Sequence, residues 1–375
     1  MAGIYLHIPF CKQACHYCDF HFSTSLQLKE PLLLALEKEI ISRKNELNNE
    51  EIETIYFGGG TPSILKTDEL KRIIETLYVH YPVSKTAEIT LEANPDDLTK
   101  SKIKELVNTS INRFSIGVQS FHNEDLLYMN RAHNASEAET AIKASQDSGF
   151  ENITIDLIYG TPTLTEEGWL DNLRKTVSFN VPHISCYALT VEDKTPLASL
   201  IQRKKMLAVD EIKVTEHFSI LVKTLSQEGF EQYEISNLAK TGYRSKHNSS
   251  YWHGKPYLGL GPGAHSFNGL DQRRWNVANN AQYIQKINSN ETYFDHEVLS
   301  LNNRFNEYIM THLRLIEGVQ LKEIEQKFGL EFATYVLEVT NQWDKNWYAK
   351  SGNSLILSNS GKIISDRLAS DLFKI

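Results

Sequence analysis

The stretch Cys11-Lys12-Gln13-Ala14-Cys15-His16-Tyr17-Cys18 contains three of the four cysteines of this 375-residue chain. It follows a short apolar segment, Ile4-Tyr5-Leu6-His7-Ile8, which has the composition of a buried strand. Three thiolates at these spacings can each ligate one iron of a [4Fe–4S] cube and leave the fourth iron without a protein ligand. The stretch therefore predicts a metal or cluster loop directly after the first strand.

A structural zinc site is the alternative interpretation, because closely spaced cysteines near His7, His16 and His21 are also typical of zinc ligation. Zinc ligands usually come as two separated pairs, however, whereas Cys186 stands alone in a distant strand-like run. We expect Cys186 to be an ordinary buried thiol, because a fourth thiolate would block the open iron. A disulfide scaffold is disfavoured, since cysteines are sparse and cluster thiolates need a reducing compartment.

A length of 375 residues allows a large core and a smaller attached unit, and 41% hydrophobic and 23% charged residues is an ordinary globular composition. No run approaches the roughly 18 consecutive apolar residues of a membrane span. A net charge of −8 argues against non-specific binding to nucleic acid. No signal peptide is recognised before Tyr5. These features predict a soluble, cytoplasmic protein without a nucleic-acid partner.

Strand-like runs alternate with amphipathic helical stretches over residues 1–232. This alternation predicts the α/β class, with six βα units in a partial TIM-type barrel that carries functional groups at the carboxyl ends of its strands. The predicted strands are Gly3–His7, Thr54–Phe57, Glu88–Glu92, Arg113–Val118, Asn152–Leu157 and His183–Leu189. The predicted helices are Pro31–Lys44, Asp68–His80, Lys102–Asn108, Glu137–Ser148, Glu167–Phe179 and Asp210–Gln227.

Two further segments follow the predicted barrel. Residues 233–300 form a predicted connecting region, and its first part, residues 233–267, has little regular period and reads as a long functional loop. Residues 301–375 predict a winged-helix-like domain. Its predicted elements are helices at Arg304–Leu315, Leu321–Phe328 and Phe332–Asn346, a strand pair at Ser354–Ser358 and Lys362–Ile364, and a terminal helix. Basic and acidic residues balance there, which argues against DNA recognition.

Polar groups stand at the ends of the predicted strands. The turn Gly58-Gly59-Gly60-Thr61-Pro62 follows the second strand, and its glycines let the backbone approach a ligand and offer amide donors. Glu92 and Gln119 end the third and fourth strands. Asp156 interrupts an apolar fifth strand, where an unpaired carboxylate would be costly to bury. These positions predict a ligand site, although a surface turn at Glu92 and a structural ion pair at Asp156 are alternatives.

Together these motifs resemble the oxygen-independent coproporphyrinogen III oxidase group of radical S-adenosylmethionine (SAM) proteins. The likeness rests on residues 5–11, the cysteine loop, the GGGTP turn, the Arg113–Phe121 stretch and the residues around Asp156. It implies that Cys11, Cys15 and Cys18 hold a [4Fe–4S] cluster and that SAM binds at the open iron. The residues it implies for SAM are Tyr5, Tyr17, Gly59, Gly60, Thr61 and Glu92, and those for a second SAM site are Gln119, Arg131 and Asp156.

One departure and one motif point to the haem-chaperone branch of that group, the HemW type. The oxidases carry a fourth cysteine two residues after the third, and Phe20 occupies that position here. The run His247-Asn248-Ser249-Ser250-Tyr251-Trp252 matches the HNxxYW haem motif of the chaperone branch. The resemblance implies that His247 ligates haem iron and that Tyr251 and Trp252 contact the macrocycle.

The resemblance therefore implies a haem chaperone that carries a [4Fe–4S] cluster and SAM and delivers haem to apo-haemoproteins of the respiratory chain. An oxygen-independent coproporphyrinogen III oxidase is the second interpretation, and a radical-SAM enzyme with an unrelated substrate is the third. Whether the chain is an enzyme stays open at this point, as does a homodimer. His253 and His265 are alternative iron ligands, and His247 in a packing role is the alternative to haem ligation.

Overall fold

The computed structural model describes residues 2–375. The strands are β1 Ala2–Ile8, β2 Ile52–Gly59, β3 Val83–Ala93, β4 Arg113–Gln119, β5 Ile153–Tyr159, β6 His183–Ala188, β7 Glu231–Glu234, β8 Asn237–Ala239, β9 Tyr257–Leu260, β10 His265–Phe267, β11 Gln272–Asn276, β12 Phe294–Val298, β13 Val319–Gln320, β14 Tyr348–Ser351 and β15 Ser354–Leu357. The helices are α1 Lys29–Ser42, α2 Thr67–His80, α3 Lys100–Leu106, α4 Asn123–Tyr128, α5 Ala135–Asp147, α6 Glu166–Ser178, α7 Pro196–Gln202, α8 Glu211–Gln227, α9 Lys246–Trp252, α10 Asn280–Asn288, α11 Leu301–His312, α12 Leu321–Phe328, α13 Leu330–Thr340, α14 Asn359–Ile363 and α15 Ser365–Asp371.

Strands β1 to β6 lie side by side in chain order, and every neighbouring pair among them is parallel. At one edge β9 adds in parallel to β1, and β10, β11 and β12 follow as antiparallel strands. At the other edge β8 and β7 add to β6 in antiparallel fashion. The predicted α/β fold with six βα units of a partial barrel is confirmed.

The six parallel strands have one apolar face and one polar face, because successive side chains in a strand point to opposite sides. The apolar face packs into the large core with the helices, and its side chains include Ile4, Leu6, Phe57, Ile89, Leu91, Phe114, Ile116, Ile155 and Ile184. The alternate positions form the inner face, with Tyr5, His7, Thr54, Tyr56, Glu88, Glu92, Arg113, Ser115, Asp156 and His183. The polar and ionisable side chains of the barrel therefore lie on this inner face.

The prediction of a long loop over residues 233–267 was wrong. This segment contains β8, the short helix α9, β9 and β10, and β9 hydrogen-bonds to the first strand of the barrel. The strands are only three or four residues long, so no hydrophobic period was visible in the sequence. The limits 1–232, 233–300 and 301–375 stay a prediction, and the large sheet runs through the first two of these ranges.

The C-terminal part contains the predicted winged-helix-like unit. Helix α11, strand β13, helices α12 and α13 and the hairpin β14–β15 surround a second hydrophobic core, and the three strands form an antiparallel sheet of order β13-β15-β14. The predicted strand Ser354–Ser358 corresponds to β15, but its partner was predicted at Lys362–Ile364, whereas the structure pairs β15 with β14, which precedes it. Gly352, at a φ of +59°, and Asn353 form the hairpin turn, and Lys362 lies in α14, which Ser358 caps.

No helix within residues 2–375 is long and apolar enough to cross a membrane.

A buried ion pair attaches the added strands β9 to β11 to the barrel. The Arg43 guanidinium donates to Glu39 at 2.9 Å, to the carbonyl of Gly259 at 2.7 Å and to Ser266 at 3.0 Å. The Glu39 side chain, fully buried, also accepts hydrogen bonds from the side chains of Asn276 and Tyr283 and from the amide of Gly261. Residues more than 200 positions apart therefore meet at one carboxylate, which holds the edge of the sheet against α1.

We expect Glu39→Gln to destabilise the protein by about 3 kcal/mol, the lower end of the cost of breaking a buried ion pair, because Arg43 keeps Glu46 as a partner. Urea unfolding measures the change. Glu30→Gln on the same helix is the matched control, since its pair with Arg72 is exposed and should contribute less than about 1 kcal/mol. Equal losses of unfolding free energy in the two variants would contradict a stabilising role for the buried ion pair of Glu39 and Arg43.

Candidate cofactor site and adjoining cavity

The cysteine loop begins at the carboxyl end of β1. Cys11 donates its amide to the carbonyl of Ser23 at 3.1 Å, and Cys18 donates its amide to the carbonyl of Cys15 at 3.3 Å. All three loop cysteines are free thiols and half-buried, whereas Cys186 is free and fully buried in β6. Burial raises the pKa of the Cys11 thiol and raises that of Cys18 to about 11, so both thiols must lose a proton before they ligate iron.

Within residues 2–375, no three His, Cys, Asp or Glu side chains converge on a point where one metal ion would sit. A single zinc ion would need such convergence. The thiolates of a cubic cluster each ligate a different iron and therefore need not meet. Three free thiols on one loop, those of Cys11, Cys15 and Cys18, are compatible with such a cluster.

The glycine turn after β2 lies directly against the start of the cysteine loop. The Gly60 amide donates to the carbonyl of Ile8 at 2.9 Å, and the Thr61 amide donates to the carbonyl of Phe10 at 2.7 Å. A Cβ on Gly60 would stand 2.8 Å from both of these neighbouring backbones. Gly59 adopts a φ of +105°, and a Cβ there would overlap the ring of His7. Both glycines are therefore required by packing as well as by any ligand.

Glu92 lies on the inner face beside this turn. Its Oε1 accepts a hydrogen bond from the Tyr56 hydroxyl at 2.8 Å and would stand 3.1 Å from a Cβ on Gly58. Burial raises the pKa of the Glu92 carboxyl from 4.5 to about 7, and the hydrogen bond from Tyr56 opposes that rise. The Tyr5 ring stacks on Tyr56 at 6.2 Å. A cationic group that bound here would restore the charged form of the carboxylate.

Arg131 connects the cysteine loop to the ends of β3 and β4. Its guanidinium donates to Cys15 Sγ at 3.3 Å and to the Tyr17 hydroxyl at 3.4 Å. It also donates to Asn94 Oδ1 at 2.7 Å and to the carbonyl of Gly117 at 2.9 Å. Its Nε is buried and has no partner within residues 2–375. Arg131 was predicted for a second SAM site, and the structure shows that it also holds the loop that carries the cysteines.

Gln119 and Asp156 lie further round the same inner face. Gln119 adopts a φ of +68°, and its amide would stand 2.9 Å from a Cβ on Gly117. Asp156 accepts hydrogen bonds from Ser115 Oγ at 3.1 and 3.2 Å, and burial raises the pKa of its carboxyl to about 6. No basic side chain forms an ion pair with Asp156 within residues 2–375, and this observation disfavours the structural ion pair. The carboxylate therefore faces the interior without a direct ion pair among the described residues, and the charges of Arg113 and Arg131 oppose the rise of its pKa.

His247 lies inside the barrel, on the inner face of β1 and β2. Its Nδ1 is 2.7 Å from Thr54 Oγ1, its Nε2 is 2.9 Å from the Tyr251 hydroxyl, and its ring stacks on Tyr56 at 4.8 Å. Its backbone amide donates to Glu88 Oε1 at 3.1 Å. Burial, together with the charge of Arg113, lowers the pKa of the His247 imidazole to about 3. The ring is therefore neutral, and both of its nitrogens have protein partners.

A cavity of about 960 Å³ opens between α9, the barrel strands and the C-terminal unit. Tyr5, His7 and Phe20 line it on the side of the cysteine loop, and Tyr251 and Trp252 line it from α9. Other lining residues are His253, His265, Leu270 and Met310, together with the charged side chains of Glu234, Arg273, Arg304, Glu307, Arg314 and Lys327. Of the predicted haem residues, Tyr251 and Trp252 reach the cavity wall, whereas His247 lies behind Tyr251.

The barrel and its cysteine loop define a radical-SAM protein. The family described as the radical SAM superfamily matches residues 5–175, and the HemN C-terminal domain matches residues 299–363. The solved structure of coproporphyrinogen III oxidase HemN from Escherichia coli superposes with a TM-score of 0.85 at 21% identity, over 100% of this chain and 90% of that one, which shows the same fold.

Curated relatives define the family more closely. The heme chaperone HemW of Bacillus subtilis is 33% identical over 98% of this chain and 98% of its own, and that of Haemophilus influenzae is 30% identical over 98% and 96%. The heme chaperone HemW of Escherichia coli is 35% identical over 70% of this chain and 69% of its own. This chain belongs to the HemW family. The resemblance drawn from the sequence motifs is confirmed.

The described residues fit a cluster and a SAM molecule. Three groups adjoin the same end of the barrel: the three free thiols of one loop, the Nε of Arg131 that has no partner within residues 2–375, and the carboxyl of Glu92, whose pKa burial raises. Sequence reasoning missed Asn94, which follows Glu92 and positions Arg131. Its place at the end of a predicted strand, between Glu92 and a proline, was the available signal. The sequence also did not predict the charged wall of the cavity, because its residues are scattered along the chain and form no local motif.

We expect Cys11→Ala, Cys15→Ala and Cys18→Ala each to abolish the cluster, because each removes one of the three predicted iron ligands. Iron and acid-labile sulfide analysis after anaerobic reconstitution measures the outcome. Cys186→Ala is the matched control and should keep the wild-type iron content, since this thiol is buried in β6 away from the loop. A Cys15→Ala protein with a full iron complement would refute the cluster assignment.

Glu92→Gln should stabilise the ligand-free protein at alkaline pH. The pKa of the Glu92 carboxyl is raised from 4.5 to about 7 in the folded state. Ionisation of this carboxyl therefore destabilises the folded state relative to the unfolded state. The stability of wild type relative to Glu92→Gln should therefore fall by about 1–3 kcal/mol between pH 5 and pH 8, allowing for solvent screening. Urea unfolding at the two pH values tests this. Glu216→Gln, at an exposed position of α8, is the control, and an equal pH response in both variants would disprove the prediction.

Proposed function

We propose that this protein binds haem in the cavity beside α9 and delivers it to apo-haemoproteins, with those of the respiratory chain as the expected acceptors. The cavity carries the proposal. Its volume of about 960 Å³ lies at the upper end of the roughly 300–1,000 Å³ of small-molecule sites, which suits a macrocycle. Its walls include the aromatic rings of Tyr251, Trp252 and Tyr257, which offer flat apolar surface. The printed names of the curated relatives support the same function.

His247 is the proposed iron ligand, and its surroundings define what ligation requires. The Tyr251 hydroxyl must leave Nε2 before that nitrogen reaches iron in the cavity. The low pKa of His247 supports ligation, because a neutral imidazole has a lone pair available for a metal. His253 and His265 are the alternative ligands and already line the cavity. The Nδ1 of His253 contacts the carbonyl of Ser249 at 2.7 Å, which directs its Nε2 away from α9.

Haem release to another protein needs an accessible apolar rim, and the cavity has one. Phe20, Leu270 and Met310 line the cavity and are exposed by 67%, 58% and 45%. Large exposed apolar side chains around an opening are typical of sites that contact another protein. We propose that the acceptor docks on this rim. The free thiols of the cysteine loop suit a reducing compartment.

The cluster and SAM belong to the proposal as resident groups. Cys11, Cys15 and Cys18 would ligate the cluster, while Glu92 and the glycine turn would receive SAM; the remaining proposed contacts are Tyr5, Tyr17, Gly59, Gly60, Thr61, Gln119, Arg131 and Asp156. When bound, the cluster supplies an electron that can cleave the sulfonium of SAM. Arg131 holds the loop with its cation against Cys15, and Tyr56 holds the Glu92 carboxyl toward the interior.

A spectroscopic titration separates this proposal from the oxidase. Anaerobically purified and reconstituted protein should shift the Soret band of added haem and should leave coproporphyrinogen III unchanged in the presence of SAM and a reductant. Conversion of coproporphyrinogen III to protoporphyrinogen IX under the same conditions would favour the oxidase. Transfer is measured by adding an apo-haemoprotein to the haem-loaded protein and recording the spectrum of the acceptor.

We expect His247→Ala to weaken haem binding by more than about tenfold, the lower bound for losing even an outer partner of a metal ligand, while the iron content stays near wild type. Parallel titrations of His253→Ala and His265→Ala test the alternative ligands. Loss of affinity in His253→Ala with wild-type affinity in His247→Ala would move the ligand to His253. An unchanged Soret spectrum and affinity in all three variants would reject a histidine ligand from this region.

A further inference from the structure

We propose that Arg314 binds a propionate carboxylate of haem and thereby fixes the orientation of the macrocycle in the cavity. This inference rests on the proposed haem-binding function and names a residue in the C-terminal unit as its specificity determinant. Arg314 follows α11 and lines the cavity next to Trp252 of α9. Its side chain is 22% exposed, so the guanidinium is accessible from the cavity.

The protein itself leaves this guanidinium weakly paired. Its Nη2 is 3.4 Å from Glu234 Oε2 and 3.3 Å from Ser236 Oγ, and its Nη1 is 4.0 Å from the exposed Asp366. Its Nε is buried and has no hydrogen-bond partner within residues 2–375. A guanidinium has five N–H donors in a planar fork that matches a carboxylate. Arg314 therefore retains donor capacity for an anionic ligand.

Glu234 occupies only one donor atom of this arginine, Nη2. The Glu234 carboxylate, buried at 1% exposure, accepts hydrogen bonds from the Ser236 amide at 2.8 Å and from the side chain of Asn237. Both donors are closer than Arg314, whose contact with Glu234 is at the outer limit of a hydrogen bond. Both of these donors bond Oε1, whereas Oε2 has Arg314 Nη2 as its hydrogen-bond partner. Arg314 can therefore keep this contact through Nη2 and take a second acceptor through its Nε, which has no partner within residues 2–375.

Trp252 places this arginine next to the proposed haem surface. The guanidinium lies over the Trp252 indole ring at 5.2 Å. The indole Nε1 is also buried without a partner within the described part of the chain. Two N–H donors without acceptors therefore occur side by side, one from α9 and one from the C-terminal unit. A carboxylate attached to the edge of an apolar macrocycle supplies the acceptor, while the ring itself faces the aromatic residues.

The other cations of the cavity differ from Arg314. Arg273 forms a bidentate pair with Glu307 at 2.8 and 2.9 Å, and Lys327 pairs with Glu323 at 2.6 Å. Arg304 has no ion pair within residues 2–375, but its guanidinium does not lie over an aromatic ring of α9. Arg304 is therefore the competing assignment and becomes an arm of the test.

Haem and haem dimethyl ester are the two probes. They share the macrocycle, but the ester lacks the negative charges of the propionates and is a weaker hydrogen-bond acceptor. Reconstituted wild type should bind haem roughly tenfold or more tightly than the ester, the ratio expected from one charge-assisted contact. Arg314→Met should bind haem only as tightly as the ester and bind the ester as wild type does. Arg174→Met, which removes an exposed arginine of α6 outside the cavity, is the matched control and should keep the wild-type preference.

Other outcomes would overturn the assignment. An Arg314→Met protein that keeps the wild-type preference for haem rejects it, and so does loss of the preference in Arg304→Met alone. If Arg314→Met does not fold, Arg314→Lys is tested instead, since lysine keeps the charge but lacks the planar fork of the guanidinium. A reduced preference for haem in Arg314→Lys supports the assignment, and a full wild-type preference rejects recognition of the carboxylate by the guanidinium fork. Wild type that shifts neither the haem nor the ester spectrum would reject the proposed function itself. Equal binding of both probes by wild type would reject only the anchor.

Discussion

The polar inner face of the parallel sheet is the constraint on which the rest of this structure depends. Six strands direct polar side chains into a confined space, where a donor or acceptor without a partner costs about 1–3 kcal/mol. At the end of the barrel away from the cysteine loop the protein pairs most of these groups itself, although the buried Nε of Arg113 has no hydrogen-bond partner within residues 2–375. Arg113 contacts Thr90, Thr154 and Glu88, and Glu88 also accepts the first amides of α9. At the carboxyl ends of the strands the Nε of Arg131 also has no partner within residues 2–375, and the proposed cofactor site lies there.

The sequence predicted what local patterns determine. The strands from residue 3 to residue 189, the cysteine loop and the polar strand ends at Glu92, Gln119 and Asp156 all depend on residues close in the chain, and the structure brings them to one end of the barrel. The period-two alternation within these strands also indicates the polar inner face, although the motifs at the strand ends are more conspicuous. Parallel strands with both faces enclosed give few other local signals.

What the sequence did not predict depends on contacts between distant residues. Strand β9 joins β1 across most of the chain, and Glu39 gathers donors from Gly261, Asn276 and Tyr283, none of which has a distinctive neighbourhood in the sequence. The motif around His247 was recognised, but its position inside the barrel was not, because the partners Thr54 and Tyr56 belong to a strand nearly 200 residues earlier. The unpartnered Nε of Arg314 is likewise visible only in the structure, because its neighbours Glu234 and Trp252 lie more than 60 residues earlier in the chain.

Tyr5 adjoins both proposed sites, and this gives the proposal a thermodynamic consequence. Its ring stacks on Tyr56, the partner of Glu92, and on His247 at 6.4 Å, and it also forms part of the cavity wall. A molecule in the cavity that displaces Tyr251 from His247 changes the packing of the same ring that a cofactor beside Glu92 contacts. The two binding free energies are then coupled, and the coupling is reciprocal. If one ligand changes the affinity of the other by a given factor, the second ligand changes the affinity of the first by the same factor. The occupancy of the barrel would in that case set how firmly the cavity holds its cargo.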